Sequence, residues 1–298
     1  MDIVDGLKAF VATAHTGSFT GAADQMGISN RLTSKYVAEL EARLGVRLFQ
    51  RTTRKVGLTP AGEDLLARAP SLLDDLDDLL AGVAEESQGF SGVIRVSAPL
   101  TFGEIYVAGM LGRFGAAHPD LTLDLRLDDS HVDLASDGID VAFRIGTTDA
   151  LAVKARKLGT FQVLAAASPT YVSKHGKPTS PSDLKNHACI VDTNRRPAQR
   201  WKFYKDGWDH SLSISGRYLV NSANAACALA EAGHGVVYGP KFALNDALLS
   251  GRLVPLFSDY ACDILPISAV YLEGRVLPRK VRALIDFAQD DIKASGLL

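Results

Sequence analysis

The sequence has few cysteines and lacks the common catalytic signatures. Its three cysteines are odd in number and no pair has CxxC spacing, so neither a disulfide framework nor a zinc site is predicted. No GxSxG, HExxH or P-loop motif occurs, and His187, two residues from Cys189, has no third group to orient it. We therefore predict a chain that is not an enzyme and that carries no cofactor and no metal.

Long apolar runs are also absent. No stretch approaches the roughly 18 uninterrupted apolar residues of a membrane-spanning helix. Residues 1–10 contain Asp2, Asp5 and Lys8 in place of an apolar signal core. The 298 residues, 47% hydrophobic and 22% charged, are sufficient for two or three globular domains. We expect a cytoplasmic protein with no membrane partner.

One stretch near the N-terminus has the pattern of two short helices joined by a tight turn. Gly17-Ser18 begins the first helix and Met26-Gly27 ends it. Ser29 is a good N-cap for the second helix, which Gly45 closes. The apolar residues of that helix recur at helical spacing: Leu32, Tyr36, Val37, Leu40 and Leu44. This predicts a helix-turn-helix, with a first helix at residues 5–15 packed behind it.

Polar and basic side chains crowd the start of the second helix, the end that points at base edges and phosphates in a helix-turn-helix. From Gly27 to Pro60 there are seven lysines and arginines against two glutamates, a local charge of +5 in a chain of net −2. Basic charge is therefore concentrated where DNA would lie. The residues predicted to meet the groove and the phosphates are Ser29, Asn30, Arg31, Thr33, Ser34 and Lys35.

Two short apolar runs follow and predict a two-stranded wing. They lie at residues 46–49 and 55–58 and flank a polar segment at 50–54. The alternative is a solvated charged loop. The wing would hold the DNA backbone or minor groove through Arg51, Thr53, Arg54 and Lys55.

Three segments carry a resemblance to a known family: LKAFVATAHTGSFTGAA, VAELEARLGVRLF and QRTTRKVGLTPAG. They lie in a stretch of about sixty consecutive residues that is similar to the N-terminal domain of LysR-type transcriptional regulators. The resemblance implies a winged helix-turn-helix, a two-lobed effector domain and assembly as a dimer of dimers. The family usually has Gln and small residues where this chain has Asn30, Arg31 and Leu32, which leaves the operator sequence open.

A long linker helix is predicted next. Thr59 and Pro60 supply an N-cap and a first-turn proline, and an apolar heptad seam follows that nothing in its own domain covers. We expect it to pair with its mate in a homodimer; the alternative is a helix folded back on the C-terminal domain. Pro70 cannot bond to the carbonyl of Leu66, which predicts a kink near Ala69. The seam consists of Leu66, Ala69, Leu73, Leu76, Leu80 and Val83, widened by Leu65, Leu72 and Leu79.

After a hinge at residues 87–92, strand and helix patterns alternate, which predicts an α/β domain. Strands are predicted at 93–97, 121–127, 139–145, 161–167, 189–192, 212–220, 236–238 and 264–272, and helices at 105–114, 169–174, 222–232, 241–249 and 278–293. By resemblance, crossovers near 164–167 and 265–268 join two lobes like those of periplasmic binding proteins. The predicted domains are 1–59, 60–88 and 89–298, with lobe 1 at about 92–164 and 268–298 and lobe 2 at about 165–267.

A ligand site is predicted between the lobes, beyond the carboxyl ends of the strands and at helix N-termini. Loops at 97–102 and 221–224 would offer hydroxyls and amides to an anion such as a small carboxylate, and Arg144 would pair with it. The alternatives are that Ser222 is only a helix N-cap and that Arg144 pairs with Asp140. Arg195 and Arg196 are expected on a solvated loop. The candidate effector-binding residues are Ser97, Pro99, Leu100, Thr101, Phe102, Phe143, Arg144, Asn221 and Ser222.

These features predict a LysR-type regulator that binds double-stranded DNA and is controlled by a small anionic effector, as a homodimer or homotetramer. A transport-type binding protein would leave residues 1–88 unexplained. An architectural DNA-binding protein would leave about two hundred α/β residues without a role. A redox switch using two of the cysteines resembles one branch of the family, although ordinary buried cysteines are commoner.

Overall fold

The computed structural model describes residues 2–51, 56–83, 89–129, 133–146, 153–195, 197–273 and 277–296. They form a helical head, a long helix and an α/β part built on one large sheet. Of the predicted hinge, residues 87 and 88 lie outside the described residues, and Gly92 already begins a strand. None of the described helices combines the length and the apolar character that crossing a lipid bilayer requires.

The head consists of three helices and a two-stranded antiparallel wing. Its elements are α1 (Ile3–Thr16), α2 (Phe19–Met26), α3 (Asn30–Leu44), β1 (Phe49–Arg51) and β2 (Val56–Leu58). The predicted helix-turn-helix and wing are confirmed. The strands are shorter than the apolar runs that predicted them.

Local capping explains where the helices of the head begin and end. The Ser18 hydroxyl accepts from the amide of Gly21 at 3.3 Å, and the Ser29 hydroxyl accepts from the amide of Leu32 at 3.2 Å. Gly27 ends α2 with φ 64°, a conformation that glycine adopts without the penalty of a Cβ atom. The turn between α2 and α3 is therefore set by capping residues that can be recognised in the sequence.

The linker helix α4 (Pro60–Val83) is continuous over 24 residues. The prediction that nothing in its own domain covers its seam is wrong for the first half, because Ala69 and Leu73 are buried in the core of the head. The second half differs, since Leu72 is 56% and Leu80 is 59% exposed. The helix runs through Pro70, and the kink stays a prediction.

The α/β part alternates strands with helices. In chain order its elements are β3 (Gly92–Ala98), α5 (Leu100–Phe102), a π-helical turn (Gly103–Val107), α6 (Ala108–Ala116), β4 (Leu121–Leu127), β5 (Val141–Ile145), β6 (Val153–Ala167), α7 (Pro169–His175), a 3-10 helix (Pro181–Asn186), β7 (Cys189–Asp192), β8 (Arg200–Trp201), β9 (Phe203–Lys205), β10 (Trp208–Asp209), β11 (Leu212–Ser213), β12 (Tyr218–Val220), α8 (Ala223–Glu231), β13 (Val236–Pro240), α9 (Lys241–Leu249), β14 (Val254–Leu256), β15 (Ala261–Cys262), β16 (Ile264–Leu272) and α10 (Arg279–Ala294). The main sheet has the order β12-β7-β13-β6-β16-β5-β3-β4, and β14 also pairs with β6.

Two long strands, β6 and β16, connect the lobes. β6 pairs with β16 as far as Gln162 and with β13 and β14 from Val163 onward. β16 shifts register between Ile267 and Ser268, where it also pairs with β5. Both changes lie beside the crossovers that the resemblance implied.

Several strands differ in number or bounds from those that the sequence predicts. The single strand predicted at 212–220 is two strands, β11 and β12, which belong to different sheets. β6 begins at Val153, eight residues before the predicted start at 161. Strands of two or three residues such as β8 and β10 carry too little alternation to be recognised in a sequence.

Helix α10 is tied to the rest of lobe 1 by one carboxylate. Asp291 accepts hydrogen bonds from the Tyr106 hydroxyl at 2.7 Å and from Nε and Nη2 of Arg113 at 2.8 and 2.6 Å. The hydrogen bonds from Arg113 hold the pKa of Asp291 below its usual value, and the bond from Tyr106 and the charge of Arg113 act in the same direction. The contact fixes the last helix against α6 and the turn before it.

We expect Asp291→Asn to lower the free energy of unfolding by about 2 kcal/mol at neutral pH, because hydrogen bonds to a charged group lose that charge. The folded pKa is lowered, so this stabilisation is fully present above the unfolded pKa of about 3.9 and disappears as pH falls through the folded pKa. The control is Asp290→Asn, whose exposed carboxylate lies 3.8 Å from Lys293. Thermal melting as a function of pH tests this; a difference between the variants that persists in acid contradicts it.

Candidate DNA-binding surface and effector cleft

The start of α3 is held against α2 by the side chain of Asn30. Its Nδ2 atom donates to the Thr20 hydroxyl at 3.1 Å, and its Oδ1 atom accepts from the Ser34 hydroxyl at 3.5 Å. Ser29, which caps the helix, is itself exposed. Asn30 and Ser34 therefore lie at the predicted surface, and Asn30 also braces the two helices.

Thr33 corrects the predicted set of DNA-contacting side chains. It is fully buried, and its hydroxyl donates to the backbone carbonyl of Ser29 at 3.2 Å. A buried side chain cannot reach a groove, so Thr33 belongs to the packing of the head. The helical pattern gave a wrong prediction for Thr33, because this polar residue was grouped with the exposed residues next to it.

Arg31 and Lys35 are both exposed on the outer face of α3. The ammonium of Lys35 lies 3.7 Å from the carboxylate of Glu39, one helical turn further along. An exposed pair of this kind contributes little to stability, so it can be exchanged for a phosphate at little cost. Arg31 and Lys35 thus present long cations where a recognition helix meets DNA.

The wing is anchored to α3 by Glu41, which the sequence analysis counted only as a negative charge. Glu41 is 6% exposed, and its Oε1 atom accepts from the amides of Leu48 and Phe49 at 2.7 and 3.2 Å. Its other oxygen lies 3.3 Å from Nη1 of Arg47. Glu41 occupies a position on the apolar side of α3, and a glutamate at such a position is the sequence signal that could have predicted its contact with the wing.

The wing tip was predicted to hold DNA through Arg51, Thr53, Arg54 and Lys55. Arg51 is the last residue of β1, and its backbone pairs with Val56. Thr53, Arg54 and Lys55 lie outside the described residues, and their contacts stay a prediction.

In lobe 1, Arg144 lies at the end of β5 and bonds to Ser97 at the end of β3. Its Nη2 atom donates to the Ser97 hydroxyl at 3.0 Å and its Nη1 atom donates to the carbonyl of Phe143 at 2.9 Å. Burial lowers the pKa of Arg144, and the charges of Asp128 and Asp129 oppose that shift. The alternative pairing with Asp140 is not the one seen here, because the Asp140 carboxylate accepts from the amide of Arg95 at 2.8 Å.

Two of the candidate effector residues belong to the core instead. The ring of Phe143 is fully buried, and Phe102 is 1% exposed, stacked on Tyr106 and against Phe242. Thr101 is also buried, at 7% exposure, whereas Pro99 and Leu100 are half-buried. The burial of the two aromatic rings disfavours a contact with the effector, because apolar residues at strand and helix ends usually pack inward, and their predicted contact stays a prediction.

In lobe 2, Asn221 and Ser222 lie at the start of α8. The Ser222 hydroxyl accepts from the amide of Ala225 at 3.3 Å, which is the N-cap role that the sequence left open. The backbone carbonyl of Asn221 accepts from Nδ2 of Asn194 at 2.6 Å. Both residues are therefore fixed by local contacts before any ligand is considered.

The two lobes meet through carboxylate–amide pairs that the sequence reading did not single out. Asp129 follows β4 and accepts from the amide of Leu100 at 3.1 Å and from Nδ2 of Asn194 at 2.9 Å. Glu104 accepts from Nδ2 of Asn224 at 3.0 Å. Asp129 and Asn194 each lie two residues beyond the end of a predicted strand, so the rule about carboxyl ends of strands could have found them.

Arg195 is not on a solvated loop as predicted. Its side chain is 15% exposed, lies 3.4 Å from the carboxylate of Asp263, and packs over the ring of Tyr238 at 4.4 Å. Its Nη1 atom is buried and has no hydrogen-bond partner among the described residues. Arg196 lies outside the described residues.

The three cysteines are free thiols, of which Cys189 and Cys227 are buried and Cys262 is half-buried. Burial raises the pKa of Cys189 and of Cys227 to about 12, and that of Cys262 to about 11. Thiols with raised pKa values are poor nucleophiles, which disfavours the redox alternative. Within the described ranges, no group of three or more His, Cys, Asp or Glu side chains is arranged to hold a metal ion.

A winged helix-turn-helix with exposed cations on α3, followed by two α/β lobes that meet through polar side chains, defines a DNA-binding protein with a ligand-binding part. Residues 4–63 match the bacterial regulatory helix-turn-helix domain of the LysR family, and residues 87–293 match the LysR substrate-binding domain. The chain belongs to the LysR family of transcriptional regulators, which are DNA-binding regulators and not enzymes.

Relatives of similar length support this assignment. An HTH-type transcriptional regulator of Haemophilus influenzae is 35% identical over 95% of this chain and 99% of its own. PtxR of Pseudomonas aeruginosa is 33% identical, over 96% of this chain and 92% of its own. The structure of CrgA from Neisseria meningitidis superposes with a TM-score of 0.64 at 28% identity and covers 96% of this chain and 98% of that one.

Proposed function

We propose that Arg31 and Lys35 read the operator from the exposed face of α3, supported by Ser29, Asn30 and Ser34 at the start of the helix. The observation that carries this proposal is the exposure of two long cations at the end of a helix braced by Asn30 and Ser29. In such a helix, contacts to base edges provide specificity and contacts to phosphates provide affinity. Arg51, Thr53, Arg54 and Lys55 of the wing would hold the backbone or minor groove.

Arg31→Ala should relax the preference at one base pair, with a loss of discrimination of about 1–3 kcal/mol. Arg54→Ala is the comparison, because a phosphate contact should weaken binding to all sequences alike and lower the salt slope by about one unit. Both are measured on DNA upstream of the chain's own gene, titrated against salt. An Arg31→Ala protein with unchanged base preference would remove the reading role.

We infer that the effector is a small anion held between the lobes. The guanidinium of Arg144 at the end of β5 supports this, since it is partly desolvated and bonded to Ser97. The amide of Leu100, the Thr101 hydroxyl, Pro99, and Asn221 and Ser222 of lobe 2 complete the proposed cleft. A ligand that binds one arrangement of the lobes better than another shifts their equilibrium, and with it the spacing of the heads.

We further propose residues 1–59, 60–88 and 89–298 as the functional units, assembled in the cytoplasm as a homodimer through α4 and as a homotetramer by pairing of dimers. The exposure of Leu72 and Leu80 on α4 supports helix pairing, because an apolar stripe on one side of a helix is covered in the working assembly. Pairing would place two recognition helices on successive turns of one operator.

A further inference from the structure

The effector cleft contains a carboxylate that belongs to the chain itself. Asp129 Oδ1 accepts from the amide of Leu100 in lobe 1, and Oδ2 accepts from Nδ2 of Asn194 in lobe 2. These two donors, together with Arg144, are those that the carboxylate of a small anionic effector would use. Asp129 is therefore positioned as such a ligand would be.

Capping of a helix does not explain this arrangement. One oxygen of Asp129 is sufficient to accept from the first amide of α5, as any cap does. The second oxygen reaches across to the other lobe, where Asn194 also donates to the carbonyl of Asn221. The start of α8 is in this way tied to lobe 1 by Asp129, in addition to the bond that Asn224 of α8 donates to Glu104.

Asp129 is exposed, so it is the shared donors, more than charge, that make Asp129 and an anionic ligand mutually exclusive. Asp192 is 7% exposed, and burial raises its pKa with a further contribution from the charge of Asp129. Like charges that share a small site repel each other. A second carboxylate can take the donors only when Asp129 leaves them.

We propose that Asp129 is a specificity-determining residue of the cleft, an internal competitor that occupies the effector's anion position and holds the lobes together until a carboxylate displaces it. This inference rests on the proposed effector cleft. Displacement exchanges one carboxylate for another on Leu100 and Asn194, so the contact between the lobes at this point then runs through the ligand and not through Asp129. Ligands that offer a stronger or bidentate anion are selected over weak ones.

The test compares Asp129→Asn with Asp133→Asn in the full-length chain. An asparagine at 129 keeps one oxygen for the amide of Leu100 but presents its NH₂ group to Asn194, so the bond between lobes is lost. Asp133 makes an equal charge change in lobe 1, where its carboxylate accepts from the nearby amides of Ala135 and Ser136 at 2.9 and 3.4 Å. The probes are acetate, succinate and, for the opposite charge, ethylammonium.

Two results are expected of Asp129→Asn and neither of Asp133→Asn. Backbone amides at 221–226 exchange hydrogen faster, because the start of α8 loses one of its ties to lobe 1 and keeps the bond from Asn224 to Glu104. Acetate and succinate raise the melting temperature of Asp129→Asn at about tenfold lower concentration than they do for the unsubstituted chain. If Asp129 blocks the site about nine-tenths of the time, its removal raises the apparent affinity by about tenfold. The same proteins are tested for binding to operator DNA.

Three results would overturn the proposal: equal exchange at 221–226 in both variants, no gain in affinity for the carboxylates, or stabilisation of the unsubstituted chain by ethylammonium that Asp129→Asn abolishes. The last would make Asp129 a ligand for a cation. Failure of the proposed regulator function has a different signature, because the unsubstituted chain would then show no sequence preference on DNA.

Discussion

Gly62→Ala should destabilise the head by about 3 kcal/mol, although alanine in a helix is normally favoured over glycine by about 1 kcal/mol. A Cβ atom at this position in α4 would lie 2.2 Å from the carbonyl oxygen of Leu48. That oxygen cannot move freely, since it accepts hydrogen bonds from the amide and the hydroxyl of Thr59 at 3.0 and 3.3 Å. The close approach of α4 to the wing therefore requires glycine.

Gly112→Ala is the matched control, because Gly112 is also in a helix and its added Cβ would meet nothing within 4 Å. We expect Gly112→Ala to be neutral or stabilising. Hydrogen exchange of peptides from residues 18–45 isolates the head from the rest of the chain, and DNA binding is measured in parallel. A head that is as protected in Gly62→Ala as in the control would show that α4 can shift away from the wing.

Glu41→Ala should cost about 3 kcal/mol of head stability and weaken DNA binding strongly. It leaves the amides of Leu48 and Phe49 buried without an acceptor, and each unsatisfied donor costs about 1–3 kcal/mol. Those amides lie at the start of the wing, so we expect the variant to lose both the stability of the head and the fixed angle between the wing and α3. Glu41→Gln retains an acceptor oxygen and should recover most of both properties.

The control for Glu41 is Asp24→Ala, which removes one negative charge from an exposed site in α2. If less negative charge near DNA were the dominant effect, both variants would bind more tightly. We expect only Glu41→Ala to bind more weakly, as measured by fluorescence anisotropy with operator DNA at several salt concentrations. Tight binding by Glu41→Ala, with a well-protected wing, would contradict the positioning role.

Much of the fold was predictable because its signals are local. Ser29 as a cap, Gly27 as a stop and the apolar spacing of α3 all involve residues close in sequence, and the structure confirms each. The alternation at 121–127 likewise predicted β4 with its observed bounds. Such signals act through backbone conformation and one face of one element, so no knowledge of distant partners is needed.

The errors arose where a distant partner decides. Thr33 was predicted to face DNA, but the packing of α3 buries it. The seam of α4 was assigned to a partner subunit, yet the head covers Ala69 and Leu73. The hydrogen bond that Asn194 donates to Asp129 joins residues 65 positions apart, and neither residue type predicts such a pairing. Residues at strand ends can be nominated from sequence, but their partners across a cleft cannot.

The burial of Ala69 and Leu73 in the head makes α4 a lever rigidly fixed to the DNA-reading body. The arm from Ala69 to Val83 is about 21 Å long at 1.5 Å per residue. Tilting this arm by about 10° at its far end would displace the anchored end by about 4 Å, close to the 3.4 Å spacing of base pairs. A small reorientation of the lobes is thereby sufficient to move a recognition helix by one step along DNA.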